Sequence, residues 1–246
     1  CPCILLQRVA SGKPLSTVGM RIEDRTRTFI IAMERTVVPE NFSFRMTDEE
    51  YRVLEKIKNS IPVCYLADHA DFALGIVTGN NKKFLSAEKT QHSEMVLKGT
   101  DICKYHINPV KQYLRFEPEQ FQQVAPLEIY RAPEKLLYRF ISNQLVVAYD
   151  DRQMLSLNSC NIVIPKIEGM QIKYILAILN SSVSQFVYQK EFHSIKVLRA
   201  HMEHIPIPRV GKAIQNEIIA MTEPLICGMG KEAAETCQKR LDCRIM

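Results

Sequence analysis

The sequence predicts an α+β fold, in which a mixed, β-rich centre is flanked by helices and followed by a C-terminal amphipathic helix. Three observations carry this prediction. A helix start signal and a helical apolar stripe occupy residues 47–59. Short β-branched and aromatic runs, separated by turn residues, dominate residues 61–165. Apolar residues at a spacing of three and four recur over residues 171–189 and 214–225.

Near the N-terminus, two apolar runs bracket a polar loop rich in Arg and Gly. The runs at 4–9 and 28–33 are typical of strands. The helix that follows begins with TDEE at 47–50, a capping box in which the threonine hydroxyl and the last glutamate satisfy backbone N–H groups reciprocally. The helix ends within NSIP at 59–62, because the residue before a proline avoids the α conformation.

The centre of the chain contains the strand signals. Each run is rich in β-branched, aromatic or leucine residues and is bounded by turn residues. Ser142-Asn143 lies between two of the runs and predicts a hairpin turn. The predicted strands are Leu74–Val77, Tyr113–Phe116, Leu136–Ile141, Leu145–Tyr149 and Cys160–Ile164.

A long amphipathic pattern over residues 171–189 predicts a helix with one apolar stripe. We expect the step at Asn180-Ser181-Ser182 to end or kink this helix. Four of the stripe residues are expected to lie in the core rather than at an interface: Leu176, Leu179, Val183 and Phe186.

The C-terminal segment begins with IPIPR at 205–209, which must be extended because each proline disfavours helix just before itself. We expect it to pack along a sheet edge. A helix then runs through residues 214–225, breaks near Gly228 and Gly230, and resumes to about residue 244. This tail could be a partner-binding arm or a brace between domains, and we favour the brace.

The composition is that of a globular protein. The chain has 246 residues, of which 46% are hydrophobic and 24% are charged. The sequence contains no run of 18 apolar residues, so it predicts no membrane span. The 8 cysteines form no C-x-x-C pair, so we expect reduced thiols, no metal site and a cytoplasmic location. The chain starts at Cys1 rather than Met, and we expect it to be a fragment of a longer polypeptide.

Positive charge is concentrated in two segments. Residues 77–115 carry seven Lys and Arg against three acids, a local net charge of +4 (7 − 3), and residues 185–212 carry five against two, or +3 (5 − 2). Two such segments could form one face that binds a polyanion. Each could equally be a solvated surface, because charge runs usually are.

The loop after Val77 is the most informative part of the first basic segment. An apolar run stops there, and Lys82 and Lys83 follow almost at once. Gly79 gives the backbone freedom to turn, and the two asparagines beside it tolerate left-handed conformations and offer amide edges. A strand that ends in a polar, cationic loop suits recognition of a polyanion. Asn80 could also be a turn former without further function.

The sequence lacks the motifs of a self-sufficient enzyme. It contains no G-x-G-x-x-G, P-loop, H-E-x-x-H or G-x-S-x-G motif. It also lacks an Asn-Pro-Pro-aromatic tetrapeptide. Cys64 with His69 is a possible nucleophile pair, but a buried thiol and a loop histidine explain it better. His201 with His204 lacks a third metal ligand, and the two acids at 150–151 are typical of a turn after a strand.

Six segments in order resemble one family, the TaqI-like C-terminal specificity domain, which is the target recognition domain of restriction-modification DNA methyltransferases of type II and type IIG. The capped helix at 47–59 is the first of them. The others are LADHADFALGIVTGNNKKF at 66–84, LKGTDICKY at 97–105, KLLYRFISNQLVVAYDD at 135–151, IKYILAILNSSVSQFVY at 172–188 and IKVLRAHMEHIPIP at 195–208.

The resemblance implies that the chain recognises double-stranded DNA and carries no catalytic site of its own. Residues 1–46 would be the remnant of an upstream methyltransferase domain, residues 47–210 the target recognition domain, and residues 211–246 a helical tail. S-adenosylmethionine and the adenine-N6 chemistry would belong to the upstream domain, which would be the chain's partner along with duplex DNA, and an endonuclease could accompany it. The tail also resembles the helix of type I specificity subunits, so a protein-interaction module similar to those subunits is the alternative.

The resemblance and side-chain chemistry together give the expected DNA contacts. Lysines suit phosphates, whereas Arg, Asn and Gln can bind base edges. Expected at the phosphate backbone are Lys82, Lys83, Lys98 and Lys104. Expected to make direct contacts near the same loops are Asn80, Asn81 and Tyr105. Expected to reach a DNA groove from the central strands are Arg139, Arg152 and Gln153. Expected to complete the basic face are Lys190, Lys196 and Arg199. Arg139 could instead pair with an acid at the edge of the core, and Lys196 could be solvated.

Overall fold

The computed structural model describes residues 20–23, 27–32, 35, 45–192 and 194–246. Within these ranges the fold is α+β, as the sequence predicts. The chain divides into two compact units, Cys1–Ser60 and Ile61–Met246. The strand predicted at 4–9 lies outside the described residues. The domain boundaries expected at 46 and 210 stay a prediction.

The first unit contains a strand pair. β1 (Met20–Glu23) pairs antiparallel with β2 (Thr28–Ile31). β2 confirms a predicted strand, whereas β1 falls inside the segment predicted as a polar loop. Met20 and Ile22 are half-buried and alternate with exposed charged residues. This four-residue pattern is too short to stand out from the surrounding polar sequence.

One helix of the first unit begins where the capping box predicts. α1 spans Asp48–Asn59. The Thr47 hydroxyl accepts a hydrogen bond from the Glu50 backbone N–H at 3.1 Å, and the Thr47 N–H donates to the Glu50 carboxylate at 3.0 Å. Leu54 is the buried residue of the apolar stripe. The helix start is therefore fixed by local chemistry.

The second unit contains the β-rich centre and the C-terminal helices. Its described strands are β3 (Val63–Cys64), β4 (Ala70–Ala73), β5 (Leu85–Ser86), β6 (Ser93–Leu97), β7 (Tyr113–Arg115), β8 (Lys135–Arg139), β9 (Val147–Asp150), β10 (Leu155–Ser156), β11 (Cys160–Pro165) and β12 (Ile207–Pro208). Its described helices are α2 (Asn81–Phe84), α3 (Leu127–Tyr130), α4 (Ile172–Asn180), α5 (Ser182–Glu191), α6 (Arg199–Glu203), α7 (Lys212–Ile226) and α8 (Lys231–Ile245).

Two four-stranded sheets form the centre of the unit. The first sheet has the order β10-β6-β7-β5, with β10 parallel to β6 and the other pairs antiparallel. The second sheet has the order β4-β11-β8-β9 and is antiparallel throughout. The predicted hairpin at Ser142-Asn143 joins β8 to β9. Buried residues of both sheets, such as Leu97, Leu114, Leu137 and Ile162, share one hydrophobic core.

The predicted strand at residues 74–77 is not part of either sheet. Ile76 forms an isolated parallel bridge with Leu157, and Val77 an antiparallel bridge with Gln123. The segment is extended as predicted, but it only touches the sheet: the Ile76 N–H donates to the Ser156 carbonyl at the end of β10, and the Val77 N–H donates to the Gln123 carbonyl in a loop. β4, which ends directly before this segment, pairs with β11 instead.

The helix break at Asn180-Ser181-Ser182 is confirmed, and Asn180 ties the break to the second sheet. Its side-chain oxygen accepts from the Val147 N–H at 3.1 Å, and its side-chain nitrogen donates to the Val147 carbonyl at 2.8 Å. Ser181 caps α5 by accepting from the Ser184 N–H at 3.2 Å. Of the four residues expected in the core, Leu176 and Leu179 are fully buried, whereas Val183 and Phe186 are half-buried.

The C-terminal segment follows the predicted course. The extended IPIP segment contains β12, which pairs antiparallel with β3, Ile207 opposite Cys64. α7 and α8 follow, with a break that includes Gly228 and Gly230. Arg244 on α8 donates to both carboxylate oxygens of Glu217 on α7 at 2.8 Å, so the two helices pack on each other. None of the described helices is long and apolar enough to cross a membrane.

Candidate nucleic-acid interface

The polar loop after Val77 is held in one conformation by its own side chains. Gly79 has a φ of +75°, a left-handed conformation that favours glycine. The Asn80 side-chain oxygen caps α2 by accepting from the Lys83 N–H at 3.2 Å. The Thr78 hydroxyl donates to the Asn81 side-chain oxygen at 2.6 Å. Asn80 thus acts as a turn former, and the loop presents Lys82 from a rigid base.

Lys82 and Lys98 line the same groove. Lys98 directly follows β6 of the first sheet. None of the residues that line the groove is acidic. Both lysines are exposed, and neither has an ion-pair partner among the residues that the structure describes. We call this feature the central groove; its lining residues are Asn81, Lys82, Leu85, Lys98, Gln112, Leu157, Asn158 and Ser159.

The floor of the central groove includes the tight turn at residues 157–160. The Cys160 N–H donates to the Leu157 carbonyl at 2.7 Å, which closes the turn. The Leu157 N–H donates to the Leu97 carbonyl at 2.7 Å, and the Asn158 N–H to the Ile76 carbonyl at 3.1 Å. The turn is therefore fixed by backbone hydrogen bonds on both sides.

Two glycines allow other segments to approach this turn closely. A Cβ atom on Gly75 would lie 2.1 Å from the Leu157 carbonyl oxygen, and one on Gly99 would lie 2.5 Å from the Ser159 carbonyl oxygen. The Gly99 N–H also donates to the Ser159 hydroxyl at 2.9 Å. Only glycine fits at these contacts, so the turn is clamped between residues 75 and 99.

Arg139 supports the segment that carries Lys98. Its guanidinium donates to the Gly99 carbonyl at 2.8 Å and to the Ile102 carbonyl at 2.6 Å. These bonds use the fork of donors that would be needed to bind a base. Arg139 pairs with backbone carbonyls rather than with the acid considered from the sequence. We therefore assign it a supporting role and leave it out of the proposed contact surface.

Lys104 and Tyr105 lie away from the central groove and hold helices in place. The Lys104 ammonium donates to the Asn180 carbonyl at the end of α4 at 3.0 Å, and burial lowers the pKa of Lys104. Tyr105 is 2% exposed, and its hydroxyl donates to the Gln238 side chain on α8 at 2.6 Å. Burial raises the pKa of Tyr105. Both side chains are thus engaged with helices, and the DNA contacts expected of them stay a prediction.

Arg152 and Gln153 are exposed in the turn after β9, and neither lines the central groove. The Asp150 carboxylate organises this turn by accepting from the N–H groups of Arg152 and Met154, both at 2.9 Å. Gln153 has a φ of +56°. The acids at 150–151 thus begin a turn after a strand, which is the interpretation that the sequence favoured.

Three cations of the second basic segment make contacts of their own outside the central groove. The Lys196 ammonium is 5.9 Å from the centre of the Phe140 ring, and Arg199 forms an ion pair with Glu203 at 2.7 Å. Lys190 lies beside Phe186 on α5. None of the three cations of this segment that were expected to contact DNA lines the central groove.

A second groove adjoins the loop after Val77 and contains further amide side chains. Lys83 lines it and donates to the Gln120 side-chain oxygen at 2.6 Å. Gln122 lies beside Gly79, at a distance of 3.3 Å from the position of an added Cβ. Lys83 is therefore near the loop, as expected, but its ammonium is already hydrogen-bonded.

Sequence reasoning missed the polar residues that face Lys82 and Lys98 across the central groove. Gln112 precedes β7, and Asn158 and Ser159 lie in the turn between β10 and β11. No local motif singles them out, because strand pairing between distant segments brings them to the lysines. The sequence indicated a connection in this region only by the short spacing between two predicted strands, residues 145–149 and 160–164.

The two enzyme-like pairs considered from the sequence do not form catalytic constellations. The Cys64 thiol donates to the Ile207 carbonyl at 3.4 Å, and burial raises its pKa, whereas His69 is exposed. His201 is stacked on Phe192 with ring centres 4.5 Å apart. Across the described residues, no three His, Cys, Asp or Glu side chains are grouped so as to hold a metal ion.

Comparison with known proteins shows that part of this unit is similar to a restriction-modification specificity domain. Residues 94–207 match the TaqI-like C-terminal specificity domain, which confirms the resemblance indicated by the sequence. The matched segment contributes Lys98, Gln112, Asn158 and Ser159 to the central groove. No curated protein is significantly similar to the chain in sequence.

Two solved structures of restriction-modification proteins align with much of the chain. The type IIL restriction-modification enzyme MmeI, solved in complex with DNA, is 11% identical with a TM-score of 0.50, and the match covers 75% of this chain and 33% of that one. The HsdS subunit from Thermoanaerobacter tengcongensis is 13% identical with a TM-score of 0.43, over 80% of this chain and 50% of that one. The chain thus spans between about a third and a half of these relatives.

Proposed function

We propose that this chain recognises a specific sequence of double-stranded DNA, as the target recognition domain of a restriction-modification adenine-N6 methyltransferase. The observation that carries the proposal is the central groove. There, Lys82 and Lys98 lack ion-pair partners among the described residues and lie beside three amide side chains, those of Asn81, Gln112 and Asn158. The match to a specificity domain over residues 94–207 supports the same function.

The groove offers the two kinds of contact that duplex recognition needs. Exposed ammonium groups neutralise phosphates and release counterions, whatever the base sequence. Carboxamides present a donor and an acceptor together, and this pair matches the edge of adenine in the major groove. The absence of acidic residues from the lining keeps the groove favourable for a polyanion.

The methyl-transfer chemistry belongs elsewhere in this proposal. The sequence has no Asn-Pro-Pro-aromatic motif, and the central groove contains amides and lysines rather than a general base. S-adenosylmethionine is therefore assigned to an upstream methyltransferase domain, which would close the other side of a cleft around the duplex. This chain would hold the register of the DNA while that domain acts on a flipped adenine.

The experiment that tests the proposal is selection of duplexes from a randomised pool by the full chain at low salt, followed by fluorescence anisotropy of the selected duplex. We expect a preferred sequence and a log K that falls linearly with log salt. If two lysines contact phosphates, their share of the slope is about −1.8, because each neutralised phosphate contributes about −0.9. A folded chain that binds no duplex at low salt would refute the proposal.

A further inference from the structure

Asn158 is the most exposed point of a turn that is otherwise defined by backbone contacts. Its own N–H bonds to Ile76, and the turn is closed between Leu157 and Cys160. Gly75 and Gly99 approach the turn from either side. The Asn158 side chain is exposed and lines the central groove together with Lys82 and Lys98.

The turn does not need an asparagine for its conformation. Asn is commonly selected in turns because it tolerates a positive φ or because its side chain bonds a nearby N–H. Among the described residues, the non-glycine positions with positive φ are Asp68, Tyr105 and Gln153, so Asn158 is not one of them. Its side chain also forms no hydrogen bond within the described chain. The two usual structural reasons for an asparagine therefore do not apply here.

We propose that Asn158 is a specificity-determining residue whose carboxamide binds the edge of an adenine, donating to N7 and accepting from the N6 amino group. This inference rests on the proposed function and assigns one base contact within it. The rigid turn supports the assignment because a side chain on a fixed backbone loses less conformational freedom on binding. Lys82 and Lys98 flank the turn and would bind phosphates around the same base pair.

The other amides near the groove are less suited to this contact. The Asn81 side-chain oxygen already accepts from Thr78, and the Asn80 oxygen caps α2. Gln112 is half-buried, whereas Asn158 is exposed. Asn158 is thus the groove amide that combines exposure, a fixed backbone and unused donor and acceptor atoms.

The test begins with duplex selection by the full-length wild-type chain, N158A and N143A. Asn143 is exposed in the hairpin between β8 and β9 and does not line the groove, so N143A is a matched control. We expect one A·T position in the wild-type preferred sequence to become degenerate with N158A and to stay fixed with N143A. We also expect N158D to favour cytosine there, because a carboxylate accepts from the cytosine N4 amino group.

A base analogue then tests the contact atom by atom. At that position, 7-deazaadenine lacks the N7 acceptor and should weaken wild-type binding by roughly 5- to 150-fold. The same analogue should leave the affinity of N158A unchanged. A gain of cytosine preference with N158D cannot arise from misfolding, and urea unfolding of each variant checks the fold directly.

The outcomes separate the two proposals. A wild-type chain with a preferred sequence that N158A reads unchanged overturns the assignment of Asn158 and leaves the proposed function standing. The assignment is also overturned if 7-deazaadenine weakens the binding affinity of the wild type and of N158A equally. A folded wild-type chain that selects no sequence refutes the proposed function, and the inference fails with it.

Discussion

Lys135 on β8 and Asp150 on β9 form an ion pair at 2.6 Å, and both side chains are fully buried. The two residues face each other in the register of the second sheet. The Lys135 ammonium also donates to the Tyr130 carbonyl at 2.6 Å, and Asp150 accepts two backbone N–H groups of the following turn. Burial lowers the pKa of Lys135, while the Asp150 carboxylate opposes this change.

Removal of one partner should strongly destabilise the second unit. K135M leaves the Asp150 carboxylate buried without its counterion, and breaking a buried pair in this way costs about 3–5 kcal/mol of unfolding free energy. Urea unfolding of the full chain measures the loss. D151N is the control, because Asp151 is exposed beside the pair and should change the unfolding free energy by less than about 0.5 kcal/mol. Equal stability of K135M and the wild type would contradict the prediction.

Gly75 should not tolerate a side chain. An added Cβ would lie 2.1 Å from the Leu157 carbonyl oxygen and 2.7 Å from that of Cys160, so the turn must shift. We expect G75A to lose about 1–3 kcal/mol of unfolding free energy by overpacking. At Gly211 an added Cβ meets nothing within 4 Å, and G211A should lose less than about 1 kcal/mol. Similar urea midpoints for the two variants would show that the 157–160 turn can yield.

The two unpaired lysines of the central groove should act additively and without sequence preference. K82A and K98A should each reduce the slope of log K against log salt by about 0.9, and the double variant by about 1.8. Duplex selection should return the wild-type sequence for all three. Lys239 on α8 is exposed outside the groove, so K239A serves as the control. An unchanged slope in the double variant would remove both lysines from the DNA contact.

His201 should make stability depend on pH below neutrality. Burial lowers its pKa, His204 acts in the same direction, and a hydrogen bond with the Lys196 backbone opposes both. Its Nδ1 accepts from the Leu198 N–H at 3.2 Å, which requires the neutral ring. The folded pKa is thus below the unfolded value of about 6.5. The unfolded chain binds the proton first, so unfolding free energy falls as the pH drops below about 6.5 and levels off below the folded pKa.

Urea unfolding at several pH values tests this assignment. H201Q cannot titrate in this range, so the difference in unfolding free energy between the wild type and H201Q should shift against the wild type from pH 7.5 to pH 5. H204Q is the comparison, because His204 is the neighbouring histidine and is exposed. If the difference in unfolding free energy between the wild type and H201Q stays constant from pH 7.5 to pH 5, His201 does not cause the pH dependence.

Local signals made much of the fold predictable. The capping box at 47–50, the hairpin at Ser142-Asn143 and the helix break at Asn180 each depend on neighbours a few residues away. Sequence alone therefore contains their cause. The strand at 74–77 was predicted from the same kind of pattern. Its partners are the end of β10 with the turn that follows, and a loop at Gln123, so an apolar run alone does not show whether it joins a sheet.

The candidate site was less predictable because its parts meet through distant pairings. β10 pairs with β6 and brings the 157–160 turn to Lys98, although about 60 residues separate them. Burial of Tyr105 and the backbone bonds of Arg139 also follow from tertiary packing. A chemically suitable side chain in a basic segment can therefore be structural, while an unremarkable asparagine faces the groove.

The clamp at residues 157–160 has a consequence for how target choice can change. The frame is set by main-chain atoms and by Gly75 and Gly99, so it places few demands on the identity of the residue that it displays. Substitution at position 158 should therefore alter readout while sparing the architecture. Under the proposed function, position 158 is therefore the first position to vary when the DNA target is to be changed by design.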